Sequence, residues 1–236
     1  MRKRFVAPLA GAVLIMGFAT AANAFSLRLS DGKETVTVTD GVIGDSNALA
    51  GVITYMGSVG AYLSNTTVGV SSRILTVTGI PNVPAMDLNS LNIKRASDTL
   101  PTTLTLYLTD TGFSCLSPNF TAGIGGTTTG TLKYKTYFSN SNAEFAETNL
   151  LTSSSFTGPV FSGLATSLAV GLANPFSLTQ EVEITQDIAG GVTSFNGTLA
   201  DPAADPVPEP GTSVLLGAGL LGLVICGKRR MYNKEA

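Results

Sequence analysis

Strict alternation of apolar and polar side chains is the feature that most constrains how this chain folds. In Thr103–Thr109, three leucines alternate with threonine and tyrosine. Successive side chains of an extended strand point to opposite faces, so such a segment has one packed face and one wet face, as in antiparallel sheets. The same alternation recurs in residues 25–30, 34–39, 131–138 and 177–185. These segments predict β-strands.

The spacing of the strands predicts the fold class. About ten short strand candidates are separated by turns rich in Gly, Ser, Asn and Asp, which favours an all-β, antiparallel two-sheet sandwich over residues 25–198. Jelly-roll and Ig-like topologies satisfy the pattern equally. A β-solenoid is the alternative, but the chain shows no fixed repeat period.

Three local features refine this prediction. Asp31-Gly-Lys33 is a tight-turn sequence that joins the first two strands in a hairpin. The apolar phase changes between Leu88 and Leu91, which predicts a β-bulge at Asn89–Ser90. The glycines of residues 123–126 lie among threonines with no helix after them, so we expect a loop there and not a phosphate-binding turn.

The N-terminus has the three parts of a secretory signal peptide. Met-Arg-Lys-Arg precedes an apolar run, which ends at the small residues Ala22 and Ala24. This order predicts a signal helix over residues 1–24, export through the Sec translocon, and cleavage by signal peptidase after Ala24.

The charge of the exported segment excludes one class of partner. Residues 25–206 contain seven Lys or Arg and fourteen Asp or Glu, a net charge near −7, whereas the whole chain is at −2. An acidic domain repels nucleic acid, so we expect no nucleic-acid partner.

The side chains needed for most enzyme chemistry are absent from the sequence. The chain has no histidine, and Cys115 is the one cysteine of the exported segment, the other being Cys226 near the C-terminus. A thiol or hydroxyl nucleophile has no imidazole to activate it, and no disulfide can form within this segment. We therefore expect that the protein is not an enzyme. We also expect its fold to be stabilised by the hydrophobic core alone, without a disulfide.

Two acidic features of the sequence are candidate binding sites. Asp40, Asp45 and Asn47 supply carboxylate and amide oxygens in one loop and form a candidate calcium site, although aspartate and asparagine are also ordinary turn formers. Glu181 and Glu183 share one face of a strand, and we expect that face to be solvated. No other cofactor is expected.

The C-terminal end has an ordered set of short segments. Residues 199–211 are rich in Pro, Asp and Ala and read as an extended linker. The apolar helix predicted within residues 212–230 contains an uninterrupted apolar run that spans about 21 Å, against about 30 Å for a bilayer core. Residues 231–236 follow as a cytoplasmic tail.

The residues around this short helix resemble a known signal. Pro208, Glu209 and Pro210 precede it, and Lys228, Arg229 and Arg230 form a basic stop after it. This order resembles the PEP-CTERM sorting signal of Gram-negative bacteria. The resemblance implies transient anchoring in the inner membrane with a periplasmic ectodomain, processing by an exosortase, and delivery to the outer-membrane surface or the extracellular space. Strand-and-turn segments such as residues 27–32 and 175–180 are similar to segments of the β-rich ectodomains often attached to this tail.

The resemblance also implies a functional context, namely biofilm and exopolysaccharide. We expect a structural or adhesive protein of the surface or matrix. One alternative is a carbohydrate-binding module for the cell's own polysaccharide, with Tyr107, Tyr134 or Tyr137 as contact residues. A weaker alternative is a secreted hydrolase, which would need two opposed carboxylates in a cleft.

Overall fold

The computed structural model describes residues 25–72, 84–98, 102–115 and 118–202. These residues form two antiparallel sheets of six strands each. Sheet 1 has the order β2-β1-β6-β11-β8-β9 and sheet 2 the order β10-β7-β12-β5-β4-β3. The strands are β1 (Ser26–Ser30), β2 (Thr35–Thr39), β3 (Val52–Val59), β4 (Tyr62–Ser71), β5 (Ala85–Arg95), β6 (Thr103–Phe113), β7 (Asn119–Thr128), β8 (Thr131–Ser139), β9 (Asn149–Thr157), β10 (Val160–Leu168), β11 (Phe176–Thr185) and β12 (Val192–Ala200).

The pairing of the last eight strands decides the topology. β5 pairs with β12, β6 with β11, β7 with β10, and β8 with β9. Among these eight strands, the first thus pairs with the last, the second with the seventh, and so on inward to β8 and β9. The eight strands together form one long folded hairpin that wraps around the core. This order is that of a jelly roll, and it excludes the Ig-like alternative for this chain. The β1–β2 hairpin extends sheet 1, and β3 with β4 extends sheet 2.

The core forms where the alternating apolar faces of the two sheets meet. Leu27 lies opposite Leu108 across β1 and β6, and Val182 lies opposite Leu106 across β11 and β6. All four side chains are fully buried. Burial of this kind stabilises the fold by roughly 1.5–3 kcal/mol for each large apolar side chain.

One buried polar side chain connects the sheets. Gln180 on β11 accepts a hydrogen bond from the hydroxyl of Tyr134 (2.8 Å) and donates one to the carbonyl of Met86 on β5 (3.0 Å). The single hydroxyl proton of Tyr134 is shared between Gln180 and the carbonyl of Thr198 on β12, whose oxygen lies 2.9 Å from the hydroxyl. Because these partners satisfy the buried amide and hydroxyl, they fix how sheet 1 lies on sheet 2.

Several local predictions are confirmed and others are corrected. The hairpin of β1 and β2 forms as predicted. The bulge in β5 is real but falls at Leu91–Asn92, where Asn92 adopts a φ of 54°. The loop predicted at residues 123–126 is wrong, because this segment lies inside β7. β12 continues to Ala200, two residues beyond the predicted end of the sandwich.

The predicted segments at both ends lie outside the described residues. These are the signal peptide at 1–24, nearly all of the linker at 199–211, the sorting helix at 212–230 and the tail at 231–236. Within the part of the chain that the structure describes, no helix has the length and hydropathy to cross a membrane.

Candidate functional site

The structure shows where the chain leaves the sandwich toward its C-terminal segments. After β12, the amide of Asp201 donates to the carbonyl of Pro84 (2.9 Å), which holds the end of the strand against sheet 2. Pro202 then lines a cavity of about 320 Å³ together with Phe120 and Leu168. The exit point therefore lies beside the start of β7 and the end of β10. The sorting residues Pro208, Glu209, Pro210, Lys228, Arg229 and Arg230 and the cleavage residues Ala22 and Ala24 lie outside the described residues.

The candidate calcium loop forms a network of backbone hydrogen bonds. The carboxylate of Asp45 accepts from the amides of Gly41 (3.2 Å), Asn47 (2.9 Å) and Thr54 (2.9 Å). Oδ2 of Asp40 accepts from the amide of Gly51 (2.9 Å), whereas its Oδ1 is buried with no hydrogen-bond partner among the described residues. Aspartate in this arrangement stabilises the turn. Calcium binding by Asp40, Asp45 and Asn47 stays a prediction.

A second group of polar residues crosses the outer face of sheet 1. Arg28 on β1 lies opposite Tyr107 on β6, which lies opposite Glu181 on β11, and Glu181 lies opposite Lys135 on β8. Each of these residues lies between two buried side chains of its own strand. With Tyr137 and Phe145, they form what we call the aromatic–carboxylate cluster.

Phe145 reaches this cluster from the loop of residues 140–148. Its ring meets the ring of Tyr107 edge to face, with centroids 6.4 Å apart at 82°. The guanidinium of Arg28 lies over the Phe145 ring at 3.6 Å, a cation–π contact. Phe145 has a φ of 52°, a backbone conformation that bulky residues rarely adopt, and its amide donates to Oγ1 of Thr109 (3.2 Å). These contacts hold the loop on the sheet.

Glu181 is the charged centre of the cluster and is only 5% exposed. Its carboxylate accepts from Nζ of Lys135 (3.1 and 3.3 Å) and from the hydroxyl of Tyr137 (2.8 Å). Neighbouring Glu183 forms an ion pair with Lys133 at 2.7 Å. Both glutamates share one face as predicted, but the prediction that the face is solvated is wrong for Glu181, because Tyr137 and Lys135 pack over it.

The electrostatics of the cluster keep its tyrosines protonated. Burial raises the pKa of Tyr107 to about 12, and the carboxylates of Glu181 and Glu147 add to the rise. Burial and the hydrogen bond to Glu181 raise the pKa of Tyr137 further. Burial likewise raises the pKa of the Glu144 carboxyl in the covering loop, while the charge of Arg28 opposes the rise. The cluster can thus stack against and hydrogen-bond a ligand, but its tyrosines are poor proton-transfer groups near neutral pH.

Of the three tyrosines predicted as contact residues, the structure separates one from the others. Tyr107 and Tyr137 lie in the cluster, and Tyr134 points into the core. Sequence reasoning missed Arg28, Lys135 and Phe145 as members. Alternation marked the first two as outward-facing, but only the strand register brings them together. No local signal singles out Phe145 in its loop.

Cys115 has the environment of a structural cysteine. Burial raises the pKa of its thiol, and the carboxylate of Asp201 adds to the rise. Its backbone amide and carbonyl both pair with the side chain of Asn174 (3.3 and 3.1 Å). Because the thiolate is the reactive form, this setting disfavours nucleophilic chemistry.

Comparison with solved structures gives only weak similarities. The enzymatically active domain of tailspike protein 4 of bacteriophage CBA120 has a TM-score of 0.32 at 10% identity, over 68% of this chain and 20% of that chain. A variant of the family 29 carbohydrate-binding module CBM29-2 has 0.26 at 11%, over 68% and 99%. The isomalto-dextranase of Arthrobacter globiformis T6, complexed with panose, has 0.26 at 11%, over 75% and 30%. At these TM-scores the similarities support no conclusion about function.

The match that carries information lies in the C-terminal segment. No curated protein sequence matches the chain. Residues 206–230, however, match the PEP-CTERM protein-sorting motif. This range contains the Pro-Glu-Pro entry, the short apolar run and the basic stop. The chain therefore carries the PEP-CTERM protein-sorting motif, which marks it as an exported protein that is transiently anchored in the membrane and processed by an exosortase.

Proposed function

We propose that the jelly roll is a structural or adhesive component of the cell surface or extracellular matrix, and not an enzyme. The observation that carries the proposal is the sorting motif at residues 206–230, which marks the protein as exported and transiently anchored in the membrane. On the outer face of sheet 1, the carboxylate of Glu181 is held by Lys135 and Tyr137, which supports a structural role for this carboxylate.

The position of the exit point supports a simple topology during sorting. Because the chain leaves the sandwich at Pro202 and the sorting motif begins at residue 206, a few residues separate the fold from the motif. We propose that the jelly roll lies in the periplasm while the helix is held in the inner membrane. After cleavage the jelly roll moves to the outer-membrane surface or the extracellular space, where it is surrounded by polysaccharide.

Processing is tested by the mass of the protein recovered from a host that has an exosortase. We expect the mature form to begin at Phe25 and to lack residues 212–236. The matched control replaces Pro208, Glu209 and Pro210 with alanine, which should leave the tail in place. A wild-type protein that still carries residues 212–236 contradicts the proposal.

The structural role is tested by deleting residues 25–206 while keeping the signal peptide and the tail. We expect the cohesion of biofilm or floc to fall, because the exported tail alone provides no folded domain. The control strain expresses the full chain from the same locus. Unchanged cohesion at equal expression would contradict a structural or adhesive role.

Carbohydrate binding is a second candidate, favoured by the aromatic–carboxylate cluster. Tyr107 and Phe145 supply aromatic surface beside the cation of Arg28, and aromatic side chains of this kind can pack against sugar rings. A pull-down with the host's polysaccharide should retain the wild-type protein, and Phe145→Ala should weaken retention. Phe156→Ala, an aromatic change in β9 away from the cluster, is the control and should not. No retention of the wild type would exclude this candidate.

A further inference from the structure

Among the described residues, β10 is an edge strand that lacks the features by which proteins usually prevent an edge from pairing with another strand. It ends sheet 2, and its nine residues pair with β7 in one continuous register without a bulge. The strand contains no charged residue and no proline, and no charged residue occurs anywhere in residues 148–180. Proteins normally guard such edges with lysine, proline, bulges or short strands, because an exposed edge is a template for another strand.

The other three edges of the sandwich carry such guards. β2 has only five residues and directly follows Lys33 and Glu34. β3 has a bulge between Tyr55 and Gly57. β9 has an irregularity where it passes from Thr152 to Leu150 along β8. The contrast singles out β10.

The backbone of β10 presents regularly spaced hydrogen-bonding groups to the open side. The amide of Thr128 donates to the carbonyl of Pro159 (3.2 Å), and the amide of Ala169 donates to the carbonyl of Pro118 (2.7 Å). In an antiparallel pair, the residues that exchange hydrogen bonds alternate with those that do not. The odd-numbered residues of β10 therefore bond to β7, and the N–H and C=O groups of the even-numbered residues point outward. At the end of the strand, the carbonyl of Leu168 also accepts from the amide of Val170 (3.0 Å) and keeps one lone pair for a second donor.

The side chains of these even-numbered residues form a symmetric pattern. Val160 (76% exposed), Leu164 (77%) and Leu168 (56%) are apolar, and the hydroxyl residues Ser162 and Thr166 lie between them. Read in either direction along the strand, the order is apolar, hydroxyl, apolar, hydroxyl, apolar. An antiparallel copy of the same strand, centred on Leu164, places Val160 opposite Leu168 and Ser162 opposite Thr166.

We propose that β10 pairs with β10 of a second copy of this chain, antiparallel and with Leu164 on the two-fold axis. In this register every outward-pointing N–H group of residues 160–168 meets a C=O group of the other copy, and apolar side chains meet apolar ones. The absence of charge leaves nothing to repel an identical strand or to select a different one. The two copies form one continuous sheet through a closed two-fold interface. This inference goes beyond the proposed surface role and does not rest on it.

The first test is the sedimentation of the protein recovered from its host at increasing concentration. We expect the wild type to reach twice the monomer mass. Leu164→Lys should stay monomeric, since it places two like charges opposite each other on the axis. The matched control is Met56→Lys, an exposed apolar residue on the opposite edge of the same sheet, and it should dimerise like the wild type.

Two results of this measurement would overturn the proposal. One is a wild type that stays monomeric, whether because residues 203–236 or another host protein covers the edge. The other is a dimer that Leu164→Lys leaves intact. Circular dichroism of each variant shows whether the sandwich is folded, and Ser162→Pro gives a second probe if Leu164→Lys fails to fold. Proline there removes one outward N–H group and no bond to β7.

The second test fixes the register by oxidative cross-linking in a background with Cys115 and Cys226 replaced by serine. Leu164→Cys should cross-link to itself, because directly opposed Cα atoms lie about 5.5 Å apart, within the range for a disulfide. Leu168→Cys alone should not, because its two copies lie roughly 27 Å apart. Mixing Val160→Cys with Leu168→Cys should give a cross-linked heterodimer. Self-linking by Leu168→Cys without Leu164→Cys would overturn the proposed centre.

Discussion

Asp31 shows how one buried carboxylate organises the turn between β1 and β2. Its Oδ1 accepts hydrogen bonds from the amides of Lys33 (2.9 Å) and Glu34 (2.7 Å). Burial alone would raise its pKa, but hydrogen bonds from the backbone of Glu34, Lys33 and Ala61 outweigh burial. The pKa of Asp31 in the folded protein therefore lies below its ordinary value of 3.8.

This shift predicts how the effect of Asp31→Asn depends on pH. Since the pKa is lower in the folded state, the ionised carboxylate stabilises the fold fully above about pH 4 and loses this effect as the pH falls through the folded pKa. Asp31→Asn should lower the free energy of unfolding by about 1 kcal/mol at pH 7, because a neutral acceptor replaces a charged one. Urea unfolding from pH 7 to pH 3 should show the difference shrinking. Asp187→Asn, in an exposed turn, is the control, and an equal effect at all pH values would contradict the account.

Asp31 also explains why residue 60 is glycine. Gly60 has a φ of +53°, and a Cβ atom there would lie 1.7 Å from Oδ2 of Asp31. Gly60→Ala should cost at least about 2 kcal/mol, from backbone strain and this collision together. Gly32→Ala, in the adjacent hairpin turn, has a φ of +85° and open space, so it should cost only about 1 kcal/mol. Equal losses in chemical denaturation would show that Asp31 does not set the requirement.

At the scale of an element, β7 shows why a glycine-rich segment can be a central strand. It lies between β10 and β12, and its glycines let these neighbours approach closely. A Cβ atom at Gly126 would lie 2.1 Å from the carbonyl oxygen of Ser194 and 2.8 Å from Cα of Phe195. A Cβ atom at Gly125 would meet nothing closer than 3.6 Å. Adjacent positions therefore differ sharply in what they tolerate.

This difference predicts the outcome of two neighbouring substitutions. Gly126→Ala should destabilise the protein by about 2–3 kcal/mol, because the backbones of β7 and β12 must separate. Gly125→Ala should change stability by less than about 0.5 kcal/mol. Thermal and urea unfolding measure both. A similar decrease in the free energy of unfolding in the two variants would contradict the close approach of β7 and β12 at Gly126.

At the scale of the whole molecule, two packed faces and a few buried polar bridges hold the sandwich together. Cys115 carries a thiol and not a disulfide, and the described residues contain no group of three or more side chains suited to hold a metal ion. The apolar core and satisfied polar groups such as Gln180 and Tyr134 stabilise the fold.

The stability of the whole fold should therefore depend neither on divalent cations nor on thiol oxidation. We expect the same melting temperature with EGTA, with added calcium, and with a reducing agent. Asp45 accepts three backbone hydrogen bonds and Oδ2 of Asp40 accepts a fourth, so Oδ1 of Asp40 is the one oxygen of these two carboxylates with no partner among the described residues, and a cation gains few new ligands there. A calcium-dependent rise in the melting temperature that Asp45→Asn abolishes would instead establish a cation site in this loop.

The sequence by itself determined which side chains of the alternating strands face the core and that the chain carries a sorting motif at residues 206–230. Alternation is a local property, so Leu104, Leu106 and Leu108 are assigned to one face before any pairing is known. The sorting motif is likewise a short contiguous pattern, readable without a fold. Local reading also found the hairpin around Asp31, because a tight turn depends on only a few adjacent residues.

Only the tertiary structure decided which strands pair, and with what register. Backbone hydrogen bonds are the same for every strand, so the jelly-roll order depends on how the two sheets fill one core, a property of residues far apart in sequence. Long-range pairing is also the reason why β7 was not predicted. Its glycines are typical of a loop when only adjacent residues are considered, but they fit a narrow space between β10 and β12. The same long-range pairing also hid the meeting of Arg28, Tyr107 and Glu181, because three strands must align before their side chains touch.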